Sequence, residues 1–329
     1  AIQKKLAVIE CAESALVTSS GMSAITTSLL TFLQQGDHLL AHNTLYGGTA
    51  SFILEDLPRY GITCDLIDTT DSSDWITMLQ PNTKVIYAET VTNPLLDVPE
   101  LGAVVDFAKD NKLISMIDNT FASPVNQNPI DLGIDIVIHS ATKYMGGHSD
   151  ILAGVVISSE DKINTVFQMA KNLGGNLSDY TVWLLERSLK TMGLRVKAQN
   201  ENAQVLAEYL YANNKVAKVY YPGLTSHPEH ELAKAQMKGF GGMLSFELIE
   251  GLNADEFQKK LQLIKSSMSL AGVESTILSP SKTSHGLLTP EERAKQGIKD
   301  GLLRFSVGIE EPEDLIADIE QALKAISEN

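Results

Sequence analysis

The sequence predicts an α/β fold over its first half, followed by a smaller α+β domain. Short apolar runs alternate with amphipathic segments as far as residue 158, a pattern typical of a mostly parallel sheet with helices on both faces. Beyond Gly193 this alternation stops and a long helical pattern begins. With 329 residues the chain has room for two domains at ~150 residues each. We therefore predict one domain over residues 1–193 and a second over residues 194–329.

Each predicted strand is a short, mainly apolar run, and each predicted helix repeats its apolar residues at helical spacing. The strands predicted for the first domain are Ala15–Ser19, His38–His42, Thr63–Ile67, Lys84–Ala88, Leu113–Ile117, Ile134–His139 and Ala153–Ser158. The helices between them include Met22–Leu33 and Gly102–Asp110. The second domain is predicted to contain helix Arg195–Asn213, strands Lys215–Tyr221, Gly242–Leu248 and Leu302–Val307, and a closing helix, Pro312–Ser327.

The composition excludes several classes of function. A formal net charge of −15 argues against binding to nucleic acid or to an anionic membrane surface. Cys11 and Cys64 lie far apart without CxxC spacing, so neither a disulfide framework nor a metal site is predicted. No apolar stretch reaches membrane-spanning length, and no signal-peptide pattern precedes the first predicted strand. These observations predict a cytoplasmic enzyme with a small-molecule substrate.

Lys143 is the first candidate catalytic residue, because it follows the apolar strand that ends at His139. A ligand crevice opens where parallel strands end, so this lysine should face a pocket. Ser140 and Thr142 flank it and could hold a phosphate. A lysine amine beside phosphate-binding hydroxyls is what a Schiff base to pyridoxal phosphate requires. On this motif alone, a surface lysine that closes a strand is equally well supported.

The segment from Ala15 to Ile25 reads as a strand, a tight turn and a helix. Gly21 allows the turn, and the amides that follow, from Met22 onward, form a helix N-terminus that can bind an anion. A plain strand-to-helix connection explains the same pattern. The sequence contains neither a dinucleotide-binding glycine fingerprint after a strand nor a P-loop.

Two further residues follow predicted strands. Asp118 ends an apolar strand, where a buried carboxylate needs a cation such as the protonated pyridine nitrogen of the cofactor. The alternative is a turn cap bonded through Asn119 or Thr120. Tyr46 could stack on a flat ring while its hydroxyl acts as acid or base, although a tyrosine before two glycines is also a common turn anchor.

Arg304 lies within the apolar strand Leu302–Val307 and therefore needs a partner. The guanidinium fork suits a carboxylate, so the α-carboxylate of an amino-acid substrate is one candidate. A buried ion pair with one of the 41 acidic residues is the other.

Taken together, these residues resemble the Cys/Met-metabolism (trans-sulfuration) family of pyridoxal-phosphate-dependent enzymes. The matching motifs fall in family order along almost the whole chain: Ser20-Gly-Met22, Leu45-Tyr-Gly47, Glu89-Thr-Val-Thr-Asn-Pro94, Ile117-Asp-Asn-Thr120, His139-Ser-Ala-Thr-Lys-Tyr144, Ser269-Leu270 and Leu303-Arg-Phe-Ser-Val-Gly308. The resemblance implies fold type I, the aspartate-aminotransferase-like fold, with a large mostly parallel sheet domain and a smaller C-terminal domain.

The resemblance also implies roles for individual residues. Lys143 would bind the cofactor as a Schiff base and then move substrate protons, while Tyr46 would stack on the ring and protonate the departing thiolate. Asp118 would pair with the pyridine nitrogen. The remaining implied roles are phosphate binding by Gly21, Met22, Ser140 and Thr142, a place for Asn93 near the 3′ oxygen of the ring, and substrate-carboxylate binding by Arg304 and Ser269.

The family implies a carbon–sulfur lyase that converts L-methionine or L-cystathionine to a thiol, ammonia and 2-oxobutyrate by α,γ-elimination. Met268 lies where enzymes that bind the distal ammonium of cystathionine carry an acid, which favours methionine. Gly48 and Asn172 stand where many methionine γ-lyases carry cysteine and aspartate, which argues against it. The alternatives are cystathionine β-lyase, a γ-replacement transferase such as cystathionine γ-synthase or O-acetylhomoserine sulfhydrylase, and a protein in which Lys143 is structural.

Family members carry an N-terminal segment with a tyrosine and an arginine that reach the cofactor phosphate of a neighbouring subunit. No counterpart precedes Ala1 in this sequence. The resemblance implies active sites shared between subunits, and so a homodimer that pairs into a tetramer.

Overall fold

The computed structural model describes residues 1–283, 293 and 297–327. The chain forms two compact units. The first comprises Ala1–Thr92, Val98–Gly146 and Asp150–Lys190, and the second comprises Asn93–Asp97, Gly147–Ser149 and Thr191–Asn329. The domain division after residue 193 stays a prediction; in the structure a single helix, Met192–Ala212, spans those residues.

The first unit consists of a sheet and its covering helices. Its strands are β1 Ser14–Thr18, β2 His38–His42, β3 Thr63–Ile67, β4 Thr83–Glu89, β5 Ile114–Asp118, β6 Ile136–His139 and β7 Gly154–Ser158. Its helices are α1 Ile2–Ile9, α2 Gly21–Phe32, α3 Gly47–Ser51, α4 Trp75–Met78, α5 Leu101–Asn111, α6 Ser123–Asn126, α7 Pro129–Leu132, α8 Glu160–Leu173 and α9 Asp179–Leu189. A π-helical turn, Phe52–Asp56, and a 3-10 turn, Leu57–Tyr60, follow α3.

The seven strands are ordered β1-β7-β6-β5-β4-β2-β3. The pairs β2–β3, β2–β4, β4–β5 and β5–β6 are parallel, while β7 runs antiparallel to both β6 and β1. The sheet is therefore mostly parallel, as predicted, with one reversed strand. The reversal follows from the connection between β6 and β7, since residues 140–153 form turns and no helix that could cross over the sheet.

Alternate residues of the strands face opposite layers of helices. Leu39, Val85 and Met116 belong to a buried cluster that includes apolar residues of α2 and α8. Leu40 and Ile117 are equally buried but point to the other face, where α5 packs on β4 and β5. Burial on both faces explains why these strands are apolar without alternation.

The described residues of the second unit form a five-stranded sheet with helices beside it. Its strands are β8 Val216–Tyr220, β9 Met243–Leu248, β10 Lys265–Ser266, β11 Thr276–Leu278 and β12 Leu302–Ser306, in the order β10-β11-β12-β9-β8. Only the short β10–β11 pair among these is parallel. The helices are α10 Met192–Ala212, α11 His230–Gln236, α12 Ala254–Lys260 and α13 Pro312–Ser327, and a 3-10 turn spans Pro280–Lys282. The mixture of helices with a largely antiparallel sheet matches the predicted α+β character.

Candidate active site

The carboxyl ends of three neighbouring parallel strands meet at one edge of the first sheet. Glu89 ends β4, Asp118 ends β5 and His139 ends β6. Glu89 is directly opposite Asp118, and Asp118 is directly opposite Ile138, so the three strand ends are level. The segment from Ser140 to Lys143 starts from this edge. The edge therefore lies where ligands bind in parallel α/β sheets.

Gly21 and Ser140 are in direct contact. A Cβ atom built on Gly21 would lie 2.7 Å from the Cβ and 2.8 Å from the Oγ of Ser140, closer than real Cβ atoms approach other atoms. Gly21 is the first residue of α2, and the side chain of Ser20 caps that helix by accepting a hydrogen bond from the backbone N–H of Ser23. The helix N-terminus and Ser140 thus lie side by side, and phosphate binding by this surface stays a prediction.

Thr142 and Lys143 lie in a tight turn after β6. The Thr142 hydroxyl oxygen accepts a hydrogen bond from the backbone N–H of Ala153 at 3.1 Å. The backbone N–H of Lys143 donates to the carbonyl of Ser140 at 3.0 Å, and the lysine side chain is half-buried. The turn is thereby attached to the segment before β7, which fixes the origin of the lysine side chain relative to Ser140.

Asp118 is buried, and its Oδ1 accepts hydrogen bonds from both the backbone N–H, at 2.9 Å, and the hydroxyl of Thr120. The predicted turn cap through Thr120 is thus present. Both hydrogen bonds from Thr120 reach Oδ1, so a ligand cation at this carboxylate would bind through Oδ2. Burial raises the pKa of Asp118, and the Thr120 hydrogen bonds and the nearby His139 act in the opposite direction. A cation at Oδ2 would favour the ionised carboxylate further.

Glu89 positions Tyr46, although the sequence singles out Glu89 only as the first residue of a family motif. The backbone N–H of Tyr46 donates to both carboxylate oxygens of Glu89, at 2.9 and 3.0 Å, while its ring is about half exposed. Burial, and then the charge of Asp118, raise the pKa of Glu89 well above its usual range. Glu89 ends its strand just as Asp118 ends the next one. This shared position could have identified Glu89 as a site residue from the sequence.

Gly48 lies between the Tyr46 ring and Met22. A Cβ atom on Gly48 would lie 2.8 Å from Cε1 of Tyr46 and 3.1 Å from Sδ of Met22. The structure therefore brings Gly21, Met22 and Tyr46 to the same part of the first unit as Ser140.

The second unit holds the other predicted site residues. Nη1 of Arg304 donates to Oδ1 of Asn93 at 3.1 Å, and Nη2 donates to the carbonyl of Met268 at 3.3 Å. Arg304 is 4% exposed, whereas the side chain of Met268 is exposed and Ser269 is half-buried. Asn93 therefore belongs with Arg304, and two neutral oxygens orient the guanidinium within its strand.

The donor set of the first unit fits pyridoxal phosphate. The Gly21–Ser140 surface at the start of α2 suits a phosphate, and the buried carboxylate of Asp118 suits a protonated ring nitrogen. Lys143 supplies the amine that this cofactor requires. Together the fold and these residues define the class of pyridoxal-phosphate-dependent α/β enzymes.

The chain belongs to the family described as Cys/Met metabolism PLP-dependent enzymes, whose model matches residues 1–324. Pyridoxal phosphate is the cofactor of this family.

Known relatives agree with this assignment. The chain is 42% identical to a protein named cystathionine β-lyase MetC from Bacillus subtilis, over 99% of this chain and 84% of the relative. It is 41% identical to a protein named L-methionine γ-lyase from Fusobacterium nucleatum, over 99% of this chain and 83% of the relative. A solved structure of cystathionine γ-lyase from Lactobacillus plantarum, complexed with L-serine, superposes with a TM-score of 0.97 at 40% identity and covers 99% of this chain and 86% of that one. This similarity confirms the predicted fold type I.

Among the described residues, no helix is both long enough and apolar enough to cross a membrane.

Proposed function

We propose that this chain is a carbon–sulfur lyase that acts on L-methionine or L-cystathionine by α,γ-elimination, giving a thiol, ammonia and 2-oxobutyrate. Its family and the names of its relatives support a lyase that acts on sulfur amino acids. The structural observation that supports it best is that Gly21, Asp118 and Lys143 come together around Ser140. Gly21 contacts Ser140, Lys143 follows it by three residues, and Thr120, which binds Asp118, accepts a hydrogen bond from the backbone N–H of Ser140.

In this proposal the first unit holds the cofactor. Gly21, Met22, Ser140 and Thr142 would bind its phosphate, and Tyr46 would stack on its ring. Asp118 would offer Oδ2 to the ring nitrogen and keep that nitrogen protonated. Bound pyridoxal phosphate supplies a conjugated ring that delocalises negative charge from the substrate Cα.

Two side chains would move protons. Lys143 would hold the cofactor through its amine and, once the substrate amine takes its place, remove the Cα proton and then move a Cβ proton. The Tyr46 hydroxyl would protonate the departing thiolate. The hydrogen bonds from Tyr46 to Glu89 support this role, because they fix the main chain that carries the ring.

Arg304 and Ser269 would bind the substrate α-carboxylate. The role of Arg304 in substrate binding is supported by its preorganisation. Asn93 and the Met268 carbonyl already fix the direction of its guanidinium fork. The exposed thioether of Met268 cannot pair with a distal ammonium, which favours methionine over cystathionine. Relatives named for different sulfur substrates have nearly equal identity to this chain, so identity does not select the substrate.

The test compares the wild-type protein with Lys143→Ala after incubation with pyridoxal phosphate. We expect a visible absorption band and release of 2-oxobutyrate from methionine in the wild type alone. Release of oxo acid from cystathionine alone would show that cystathionine, and not methionine, is the substrate. Pyruvate as the product would identify the β-lyase reaction. A Lys143-dependent band without oxo acid, together with thioether formation from O-acetylhomoserine and a thiol, would establish the transferase alternative.

We also propose that the protein acts in the cytoplasm as a homotetramer built from dimers with shared active sites. The family resemblance supports this assembly. Light scattering of the purified protein with its cofactor gives the mass of the particle in solution, which tests whether it is a tetramer.

A further inference from the structure

Glu10 is a fully buried acidic residue with no part in the proposed reaction. It follows α1, and Oε1 of Glu10 lies 2.5 Å from Nε2 of His139 and accepts a hydrogen bond from Nδ2 of Asn119 at 2.9 Å. Nδ2 of Asn128 lies 3.4 Å from Oε2. A buried carboxyl group is costly unless it has hydrogen-bond partners, and these three side chains supply them for Glu10.

The partners of Glu10 stand at the ends of the two strands that begin the candidate site. His139 ends β6 and directly precedes Ser140, while Asn119 directly follows Asp118 at the end of β5. One carboxylate, 129 residues from His139 in sequence, is therefore bonded to the chain on both sides of the site. It fixes the position of Asp118 relative to the turn that carries Lys143.

The same contact has an electrostatic consequence. Burial raises the pKa of Asp118, and the charge of His139 opposes that rise. Oε1 of Glu10 lies against Nε2 of His139, so a carboxylate contacts the ring whose charge favours ionised Asp118. The other titratable groups that face Asp118 are Glu89 and Tyr87 of β4, and the charge of Asp118 raises the pKa of both. His139 is the neighbouring group whose charge favours ionised Asp118.

We propose that Glu10 is a positioning residue for the cofactor, which acts through His139 to keep Asp118 ionised and aligned with the cofactor ring nitrogen. This inference rests on the proposed function, because it requires Asp118 to bind that nitrogen. The competing explanation is a purely structural tie, and buried charge pairs often add little to stability.

Glu10→Gln and a matched control, Asp135→Asn, separate the two explanations. Asp135 ties the opposite ends of the same strands, since its Oδ2 accepts hydrogen bonds from the backbone N–H and the hydroxyl of Ser115, both at 3.0 Å. Both substitutions keep the shape of the side chain and remove a charge. Pyridoxal phosphate is titrated into each cofactor-free protein, and the visible band of the loaded protein is then titrated with pH.

We expect Glu10→Gln to weaken cofactor binding about tenfold and to raise the pH midpoint of the band by about one unit. The midpoint rises because a less fully protonated ring nitrogen repels the proton on the Lys143 nitrogen less strongly. Asp135→Asn should bind within about threefold of the wild type and keep its midpoint, because it lies away from Asp118. A structural tie alone would not move the midpoint.

The proposal is overturned if Glu10→Gln keeps the wild-type midpoint, or if Asp135→Asn shifts it equally. His139→Gln is the second variant, and it should reproduce the shift even if Glu10→Gln does not fold. If neither variant folds, both residues are structural and the proposal fails. A wild-type protein without a Lys143-dependent band would overturn the cofactor site itself, which distinguishes that failure from the failure of Glu10.

Discussion

Replacement of Gly21 by alanine tests the contact between the first turn of α2 and Ser140. The new Cβ would lie 2.7 Å from the Cβ and 3.0 Å from the Cα of Ser140, whereas ordinary contact begins at 3.4 Å. These two atoms cannot rotate away. The backbone N–H of Ser140 is also held by the Thr120 hydroxyl at 2.8 Å. The helix or the turn must therefore move by about 0.7 Å to restore ordinary contact.

We expect such overpacking to lower the free energy of unfolding by ~1–3 kcal/mol. Because the displaced atoms line the proposed phosphate surface, cofactor affinity should fall ~10–100-fold, since small misplacements of binding groups have effects of this size. Gly102→Ala is the control, since Gly102 is also helical and a Cβ there meets nothing within 4 Å. That substitution should raise stability by up to ~1 kcal/mol.

The assays are urea unfolding of each cofactor-free variant and titration of pyridoxal phosphate followed by visible absorbance. Equal cofactor affinity in Gly21→Ala and Gly102→Ala would refute the reasoning, because it would mean that the Gly21–Ser140 contact does not shape the binding surface.

Three further substitutions test other parts of the site. Gly48→Ala should lower kcat by about tenfold, because the new Cβ would displace the Tyr46 ring. An unchanged kcat in steady-state kinetics would contradict the proposed catalytic role of Tyr46. The raised pKa of Glu89 means that the folded protein binds its proton more tightly, so stability from this group is present below pH ~4.5 and is lost as the pH rises through the folded pKa. Unfolding of Glu89→Gln from pH 4 to 8 should therefore show a smaller decline than the wild type, and parallel curves would show that Asp118 and burial do not raise this pKa. Arg304→Lys should raise KM for the amino-acid substrate by roughly tenfold, with a smaller change in kcat. The reason is that an ammonium cannot bind a carboxylate through two parallel hydrogen bonds. An unchanged KM would show that Arg304 does not bind the substrate.

The repeating parts of the fold could be predicted because strand and helix periodicities are local. The bounds of His38–His42, Thr63–Ile67 and Pro312–Ser327 were predicted without error. The reversal of β7 could not be predicted from its own residues, which are as apolar as those of the parallel strands. It depends on the absence of a crossover helix after Lys143.

Residues that reach the site through hydrogen bonds to residues distant in sequence were the hardest to predict. Asp118 and Lys143 stand out because a charged residue at the end of an apolar strand needs an explanation. Glu10 has no such context, since it follows an ordinary amphipathic helix and its partners lie over 100 residues away. Its position beside the site follows from the packing of α1 against β1 and β7, which no local pattern specifies.

The spacing of these contacts along the chain also bears on how the protein folds. Ser140 and Thr120 are joined across 20 residues, whereas Arg304 and Asn93 are joined across 211. Closing the longer loop costs about 2 kcal/mol more chain entropy, and contacts of high sequence separation form late. During refolding, the hydrogen bond between Ser140 and Thr120 should therefore form before the one between Arg304 and Asn93.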